Sequence, residues 1–208
     1  MPGMVVTEVT LNHEFLMSSY HTDSEKALAR FGVEMHGGKG LKVLIGGLGL
    51  GYTADAALRC EGVQSVEVIE LLGEVIGWLK DGLLPLSETL IGDERLQIVE
   101  GDGYRKMWQQ PTSIYDLILI DIDHSPDDRL GAVDASFYSV EGLEKARRHL
   151  APGGVLGIWS YEENQPFADA MAATFDDVRI EPVTHENVLI DQIQTDWLYF
   201  GRVLESPV

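Results

Sequence analysis

Cysteine is almost missing from the 208-residue chain. Cys60 stands alone, so no internal disulfide can form and nothing points to an oxidising compartment. Cys60 falls near the end of a helical stretch with no base beside it, which reads as an inert, partly buried thiol. Positive charge is also scarce: Lys and Arg total 15 against 34 Asp and Glu, a formal net charge of −19. A field of that sign repels nucleic-acid phosphates and draws in small cations, besides keeping the protein soluble. No apolar run is long enough to span a bilayer. The opening residues, "MPGMVVTEVTLNHEF", have neither the basic start nor the apolar stretch of a signal peptide. The expectations are a cytoplasmic protein with a small-molecule partner and no nucleic-acid or membrane partner. There is no internal repeat and no low-complexity tract.

What is present is an alternation of apolar runs and helical stretches. "MVVTEVTLNHEFLMSS" reads as one or two short strands. "TDSE" at Thr22 to Glu25 has capping-box spacing ahead of a short amphipathic helix in "SEKALARF". "HGGKG" at His36 to Gly40 marks the internal boundary. After it, "LKVLIGG", "SVEVIEL", "RLQIVEGD", "YDLILID" and "GGVLGIWSY" read as strands. "GYTADAALRC", "GEVIGWLKDGL" and "SVEGLEKARRHL" read as helices. The strand runs are nearly continuous in apolar residues, as parallel strands covered on both faces must be. The tail, "VRIEPVTHENVLIDQIQTDWLYFGRV", has strand-like runs without an intervening helix and is expected to form a hairpin closing one sheet edge. The pattern predicts a doubly wound, mostly parallel, seven-stranded α/β sheet. Residues 1–40 are an expected strand–helix extension, with a lid as one role for it, and 41–208 the α/β domain.

Acids recur where these strands end. "VLIGGLGLGY" closes a strand in Gly46, Gly47, Gly49 and Gly51, which allow sharp turns and close approach of a ligand to the main chain. Glu70 ends the next strand about twenty residues on, where an acid accepts hydrogen bonds from ribose hydroxyls in nucleoside-binding α/β folds. Asp102, in "EGDGY", lies on the same edge and is placed to accept from an adenine amino group. Leu71 and Gly103 flank these two acids. The glycines alternate without Lys or Arg between them, which suits a ligand lacking a pyrophosphate, such as S-adenosyl-L-methionine. The run "YDLILIDIDHSPDD" then leaves an apolar strand for Asp121, Asp123, His124, Asp127 and Asp128. By strand alternation Asp121 and Asp123 point the same way, toward the crevice at the strand ends. They are candidates for binding a cationic substrate or taking its proton, with His124 as a further base. Solvated loop acids and a structural cap are the plainer alternatives for the same residues. Tyr20, His21 and Tyr161 are candidates for lining the substrate pocket; Trp159 is expected in the core.

On these residues the chain resembles the class I S-adenosylmethionine-dependent transferases, and within them spermidine synthase-like proteins. The resemblance runs from about Leu41 to Ser160 and rests on "VLIGGLGLGYTADAAL", "SVEVIELLGEVI", "LQIVEGDGY", "YDLILIDID" and "LAPGGVLGIWS". It implies a Rossmann-like class I methyltransferase fold and S-adenosylmethionine, or its decarboxylated form, as cofactor. It assigns Gly47, Gly49 and Gly51 to the cofactor loop, Glu70 to the ribose and Asp102 to the adenine. It places Asp121 where spermidine synthases keep a carboxylate facing the amine substrate. Three departures stand out. Gly49 and Leu50 occupy the region where those enzymes carry an aspartate for the donor's amino group. Their longer N-terminal β domain with a Tyr-His-Glu stretch is reduced here to "LNHEFLMSSYHTDSEKALA". His124 replaces the aspartate before the proline. Metal-dependent O-methyltransferases offer a second resemblance through the Asp-x-Asp of Asp121 and Asp123. "WSYEEN" lacks their Asp-Asn pair, and a hard cation wants about six oxygens, so no metal is expected. The expected activity is transfer to a small, cationic acceptor, by methyl transfer first and by spermidine synthase-like aminopropyl transfer as the alternative. A nucleoside-binding scaffold without catalysis is a third option. The oligomeric state is open, a homodimer being one choice.

Overall fold

The computed structural model describes residues 5–11, 13–128, 135–187 and 191–204. Two short strands, β1 (Glu8–Leu11) and β2 (Glu14–Ser18), pair antiparallel as a separate hairpin. Helix α1 (Asp23–His36) follows and is 14 residues long, well beyond the short run its sequence suggested. The difference has a packing cause. Ala27, Leu28 and Ala29 are fully buried, so the helix is held by the sheet and not by its amphipathic stripe alone. The capping box of "TDSE" does not form: Thr22 occupies the N-cap position but its side chain makes no capping bond. Glu25, the reciprocal partner in such a box, is engaged by Ser24 instead, whose Oγ lies 3.1 Å from Glu25 Oε2.

The main chain then alternates β3 (Leu41–Gly46), α2 (Tyr52–Arg59), β4 (Val63–Glu70), α3 (Gly73–Lys80), α4 (Ser87–Ile91), β5 (Leu96–Glu100), α5 (Gly103–Trp108) and β6 (Tyr115–Ile120). A 3-10 turn at Ala135–Tyr138 leads to α6 (Val140–Arg147), β7 (Leu150–Ser160), α7 (Gln165–Thr174), β8 (Asp177–Asn187) and β9 (Gln192–Arg202). Together β3 to β9 form one seven-stranded sheet in the order β5-β4-β3-β6-β7-β9-β8. Strands β3 to β7 pair in parallel, and β9 runs antiparallel to both β7 and β8. The tail hairpin closes one edge, as its sequence suggested.

The apolar runs divide cleanly between two layers. In β6, Leu117 and Leu119 join Val43, Ile45, Val66 and Val68 beneath α1, α2 and α3. Ile118 and Ile120 face the opposite layer, with Met107, Leu143, Ala146 and Phe167 of α5, α6 and α7. Each such side chain contributes about 1.5–3 kcal/mol on burial. Helices α4 and α5 are too short to leave a readable period. Helix α7 had a signal: Asn164 caps it by accepting from the Phe167 N–H at 2.9 Å, and Pro166 sits in its first turn. Cys60 is half-buried, and burial raises its thiol pKa. Strands β4 and β6 lie on opposite sides of β3, so the order in which the chain adds strands to the sheet reverses there. In open α/β sheets, ligands bind at the carboxyl ends of strands at that reversal.

Candidate active site

A cavity of about 940 Å³ opens at the carboxyl edge of the sheet. Its walls come from the loops after β3, β4, β5 and β6, from the β1–β2 hairpin, from the start of α1, and from β8 and β9. Eight Asp and Glu residues line it, and the described lining residues include no Lys or Arg.

The glycine loop is fixed by its neighbours. The Gly47 N–H donates to the Ile69 carbonyl at 2.9 Å, and the Asp121 N–H donates to the Gly46 carbonyl at 2.9 Å. Gly47, Gly49 and Gly51 have φ of 92°, 52° and 91°, in the region L side chains avoid. At Gly47 close approach adds to this, because a Cβ would lie 2.1 Å from the Asp121 carbonyl oxygen. Gly46 is the last residue of β3 and packs against Ile120 and Ile122, whereas Gly47, Gly49 and Gly51 line the cavity.

Glu70 does more than end a strand. It is buried, and its two oxygens take separate backbone donors: Leu48 N–H of the glycine loop and Leu72 N–H of the β4–α3 turn, each at 2.8 Å. Glu70→Ala would leave both donors without their carboxylate, so a stability loss of about 2–3 kcal/mol is expected, together with weaker S-adenosylhomocysteine binding. Urea unfolding and calorimetry on the same variant would read both effects. Asp102 caps α5, its Oδ1 accepting from the Arg105 N–H at 3.1 Å. Leu71 is exposed, Gly103 is buried, and both border the cavity.

Asp121 and Asp123 part company. Asp121 faces α2, where Thr53 Oγ1 donates to its Oδ2 at 2.7 Å. Asp123 is buried on the other side, its Oδ2 accepting from the hydroxyls of Tyr104 at 2.7 Å and Tyr138 at 2.9 Å. Both residues line the cavity, but their carboxylates engage partners on different sides, because alternation holds only within a strand and β6 stops at Ile120. His124 lines the cavity with its Nδ1 3.6 Å from Asp128 Oδ2. Its carbonyl accepts the Tyr161 N–H at 2.9 Å, and the two rings stand edge-on at 6.4 Å. Tyr20 and His21 also reach the wall, with their ring centroids 4.1 Å apart.

Three residues not read as site residues in the sequence complete this wall, Glu25, His185 and Asp196, while Thr53 stands behind Asp121. Asp196 accepts from Ser24 Oγ at 2.6 Å, and the His185 ring lies 4.2 Å from that of His21. Burial, with the nearby Asp121 charge, pushes the Glu25 carboxyl up to about 8. Burial pushes Asp121 up to about 6, with Asp196 adding to it while Thr53 opposes. The Asp196 carboxyl is raised as well, mainly by burial. A stability consequence follows. Folded Glu25 and Asp121 hold protons that the unfolded chain releases near its ordinary values of 4.5 and 3.8. These groups therefore lower folding stability progressively as pH rises from about 4 to about 8. Denaturant midpoints across that range should fall more steeply for wild type than for the Glu25→Gln/Asp121→Asn double variant. Equal slopes would contradict the assignment.

Comparison with known proteins fits this architecture. No protein-family profile matches the chain. Polyamine aminopropyltransferase 2 of Streptomyces coelicolor is 34% identical over 124 residues, which is 59% of this chain and 22% of that protein. Polyamine aminopropyltransferase of Prochlorococcus marinus is 31% identical over 57% of this chain and 40% of its own length. Putrescine N-methyltransferase 1 of Nicotiana tabacum is 28% identical over 55% of this chain and 29% of its own. This chain thus spans less than half the length of these curated relatives. A spermidine synthase solved with the transition-state analogue AdoDATO superposes over 97% of this chain and 68% of its own, with a TM-score of 0.77 at 18% identity. The chain has the class I methyltransferase fold in its spermidine synthase-like form. A human methyltransferase-like protein 13 in complex with SAH shares that fold at a TM-score of 0.58, over 88% of this chain and 80% of its own at 16% identity. Among the described residues no helix is long and apolar enough to cross a membrane, and no group of three or more His, Cys, Asp or Glu is placed to hold a metal ion.

Proposed function

We propose that this protein is an S-adenosylmethionine-type transferase that alkylates a small cationic amine. The observation that carries the reading is the trio Glu25, Asp121 and Asp196, which share one cavity with the glycine loop and have raised pKa values. Ionising such a trio costs desolvation and mutual repulsion, and an incoming cation offsets both. The nucleoside of the donor would lie along the glycine loop, with its ribose toward Glu70 and its adenine toward Asp102, Leu71 and Gly103. A carboxylate oxygen accepts more than one hydrogen bond, so the backbone bonds of Glu70 leave it able to take ribose hydroxyls. When bound, the donor supplies a carbon activated by a sulfonium. The protein's part is to hold the amine in line with that carbon and to accept a proton from it. The acidic wall fits such a donor, because the sulfonium is itself a cation.

Methyl transfer is the reaction we favour. Gly49 leaves the loop without the carboxylate that aminopropyl transfer uses in spermidine synthases. A side chain at Gly49 would also crowd the β1–β2 hairpin, since a Cβ there would lie 3.3 Å from Met17 Sδ. One observation favours aminopropyl transfer instead: a decarboxylated donor keeps the ammonium and sulfonium but loses the carboxylate, so it brings a higher net positive charge into a cavity lined by eight acids. Incubation with 1,4-diaminobutane and either donor, read by mass spectrometry, separates the two. A methylated amine formed from S-adenosylmethionine is the expected product. An aminopropyl adduct from the decarboxylated donor would transfer the assignment to the second reading. No product from either donor across a panel of amines would overturn both.

A further inference from the structure

The strand-end acids are where transfer chemistry is ordinarily sought in this fold. Glu25 is not among them; it reaches the cavity from α1. We propose that Glu25 is the proton acceptor for the attacking amine, and that Ser24 and Asp196 carry its proton away toward His185. This inference rests on the transferase reading above.

The geometry is that of a relay. Trp159 Nε1–H donates to Ser24 Oγ at 2.9 Å, which uses one lone pair of that hydroxyl. Trp159 therefore packs partly buried against the core, as its sequence suggested, and its indole N–H also has a polar task in the cavity wall. The Ser24 hydroxyl has one hydrogen and two carboxyls within reach: Asp196 Oδ2 at 2.6 Å and Glu25 Oε2 at 3.1 Å. One hydrogen serves one carboxylate. With Ser24 donating to Asp196, a protonated Glu25 completes the line by donating to the second lone pair of Ser24. Beyond Asp196, His185 Nδ1 lies 3.9 Å from its Oδ2, and His21 stacks on His185. His21 Nε2 is buried and makes no hydrogen bond among the described residues.

Burial and the neighbouring Asp121 keep Glu25 protonated near neutrality, with its pKa at about 8. The other titratable groups on this wall are Asp121 after β6, Asp196 on β9, His185 on β8, His21 before α1, Glu8 on β1 and Tyr52 on α2. An arriving ammonium draws Glu25 into its charged form, and the proton of Glu25 leaves through Ser24. The Glu25 carboxylate then takes one N–H proton of the ammonium. The freed lone pair forms the new N–C bond as the C–S bond breaks, and the bonding pair stays on sulfur. The sulfonium charge ends on the product ammonium, and a neutral thioether remains.

Calorimetric titration of 1,4-diaminobutane at pH 7, in two buffers of different ionisation enthalpy, counts the protons exchanged. It is run on free protein and on protein saturated with S-adenosylhomocysteine. Wild type should release close to one proton per amine bound, and Glu25→Gln almost none, with S-adenosylhomocysteine affinity unchanged. Ser24→Ala should shift the pH midpoint of amine binding, and Ser24→Thr, which keeps the hydroxyl, should restore it. If Glu25→Gln does not fold, the Glu25 carboxyl carbon in 13C-labelled wild type reads the same ionisation as amine is added. Absence of amine binding, no proton release by wild type, or equal release by Glu25→Gln overturns the proposal. An unshifted Ser24→Ala midpoint removes Ser24 from the path. Failure of S-adenosylhomocysteine to bind strikes the transferase reading instead, and the free-protein titration still reports on Glu25.

Discussion

Asp121→Asn lowers turnover by about a hundredfold or more, the scale of a lost charge or acid–base contact. Thermal stability at pH 8 stays level or rises. The two halves of this expectation have one cause. Burial raises the Asp121 carboxyl to about 6, so above that pH the folded protein carries a charge that its surroundings disfavour. Asn removes the charge, and its carbonyl can still accept from Thr53 Oγ1, which lies 2.7 Å from Asp121 Oδ2. The fold loses little, while a cationic acceptor loses its counter-charge. Steady-state rates and melting curves on one preparation test this. A large fall in melting temperature with near-normal turnover would make Asp121 a structural cap. Asp123→Asn should behave the opposite way, because its buried oxygen holds the Tyr104 and Tyr138 hydroxyls.

Gly47→Ala is the second large effect, and it acts through the fold. Its φ of 92° is strained for any L side chain. Its Cβ would sit 2.1 Å from the Asp121 carbonyl oxygen, a backbone atom that no rotamer change can move aside. The loop must shift, and Asp121 shifts with it. A stability loss of about 3 kcal/mol or more is expected, with activity lost even in the folded fraction. Gly82→Ala is the control: φ is 77° there, but no heavy atom outside its immediate neighbours lies within 4 Å of a Cβ. It should cost only the conformational term, about 1–2 kcal/mol. Urea midpoints that are equal for the two variants would show that the contact with Asp121 contributes nothing.

The sheet was legible because buried parallel strands cannot hide. Leu117 to Ile120 must be apolar on both faces, and so must the runs beside them. The strand-end acids were legible for a related reason: each ends such a run, so Glu70, Asp102 and Asp121 fall on one edge. Within a few residues of those ends the reading weakened. Asp123 was placed by an alternation that β6 had already abandoned. Glu25 fits a capping box in four residues of local sequence, and that pattern hides its place in the cavity. What recruits Glu25 to the cavity is remote: Ser24 and Asp196 are 172 positions apart in the chain. Asp196 did leave a trace, as a lone acid between Thr195 and Trp197 in an otherwise strand-like run. An inward charge on a strand is expensive enough to flag a site. Its partner on α1 left none, since a helical glutamate ordinarily faces water.

The central claim is that the cavity at the carboxyl edge binds an S-adenosyl nucleoside. Calorimetric titration of the purified protein with S-adenosylmethionine, its decarboxylated form and S-adenosylhomocysteine tests it most directly. Saturable one-to-one binding of S-adenosylhomocysteine and of at least one of the two donors is expected, weakened in Glu70→Ala. Heat signals indistinguishable from dilution for all three, with a folded protein in the cell, would contradict it.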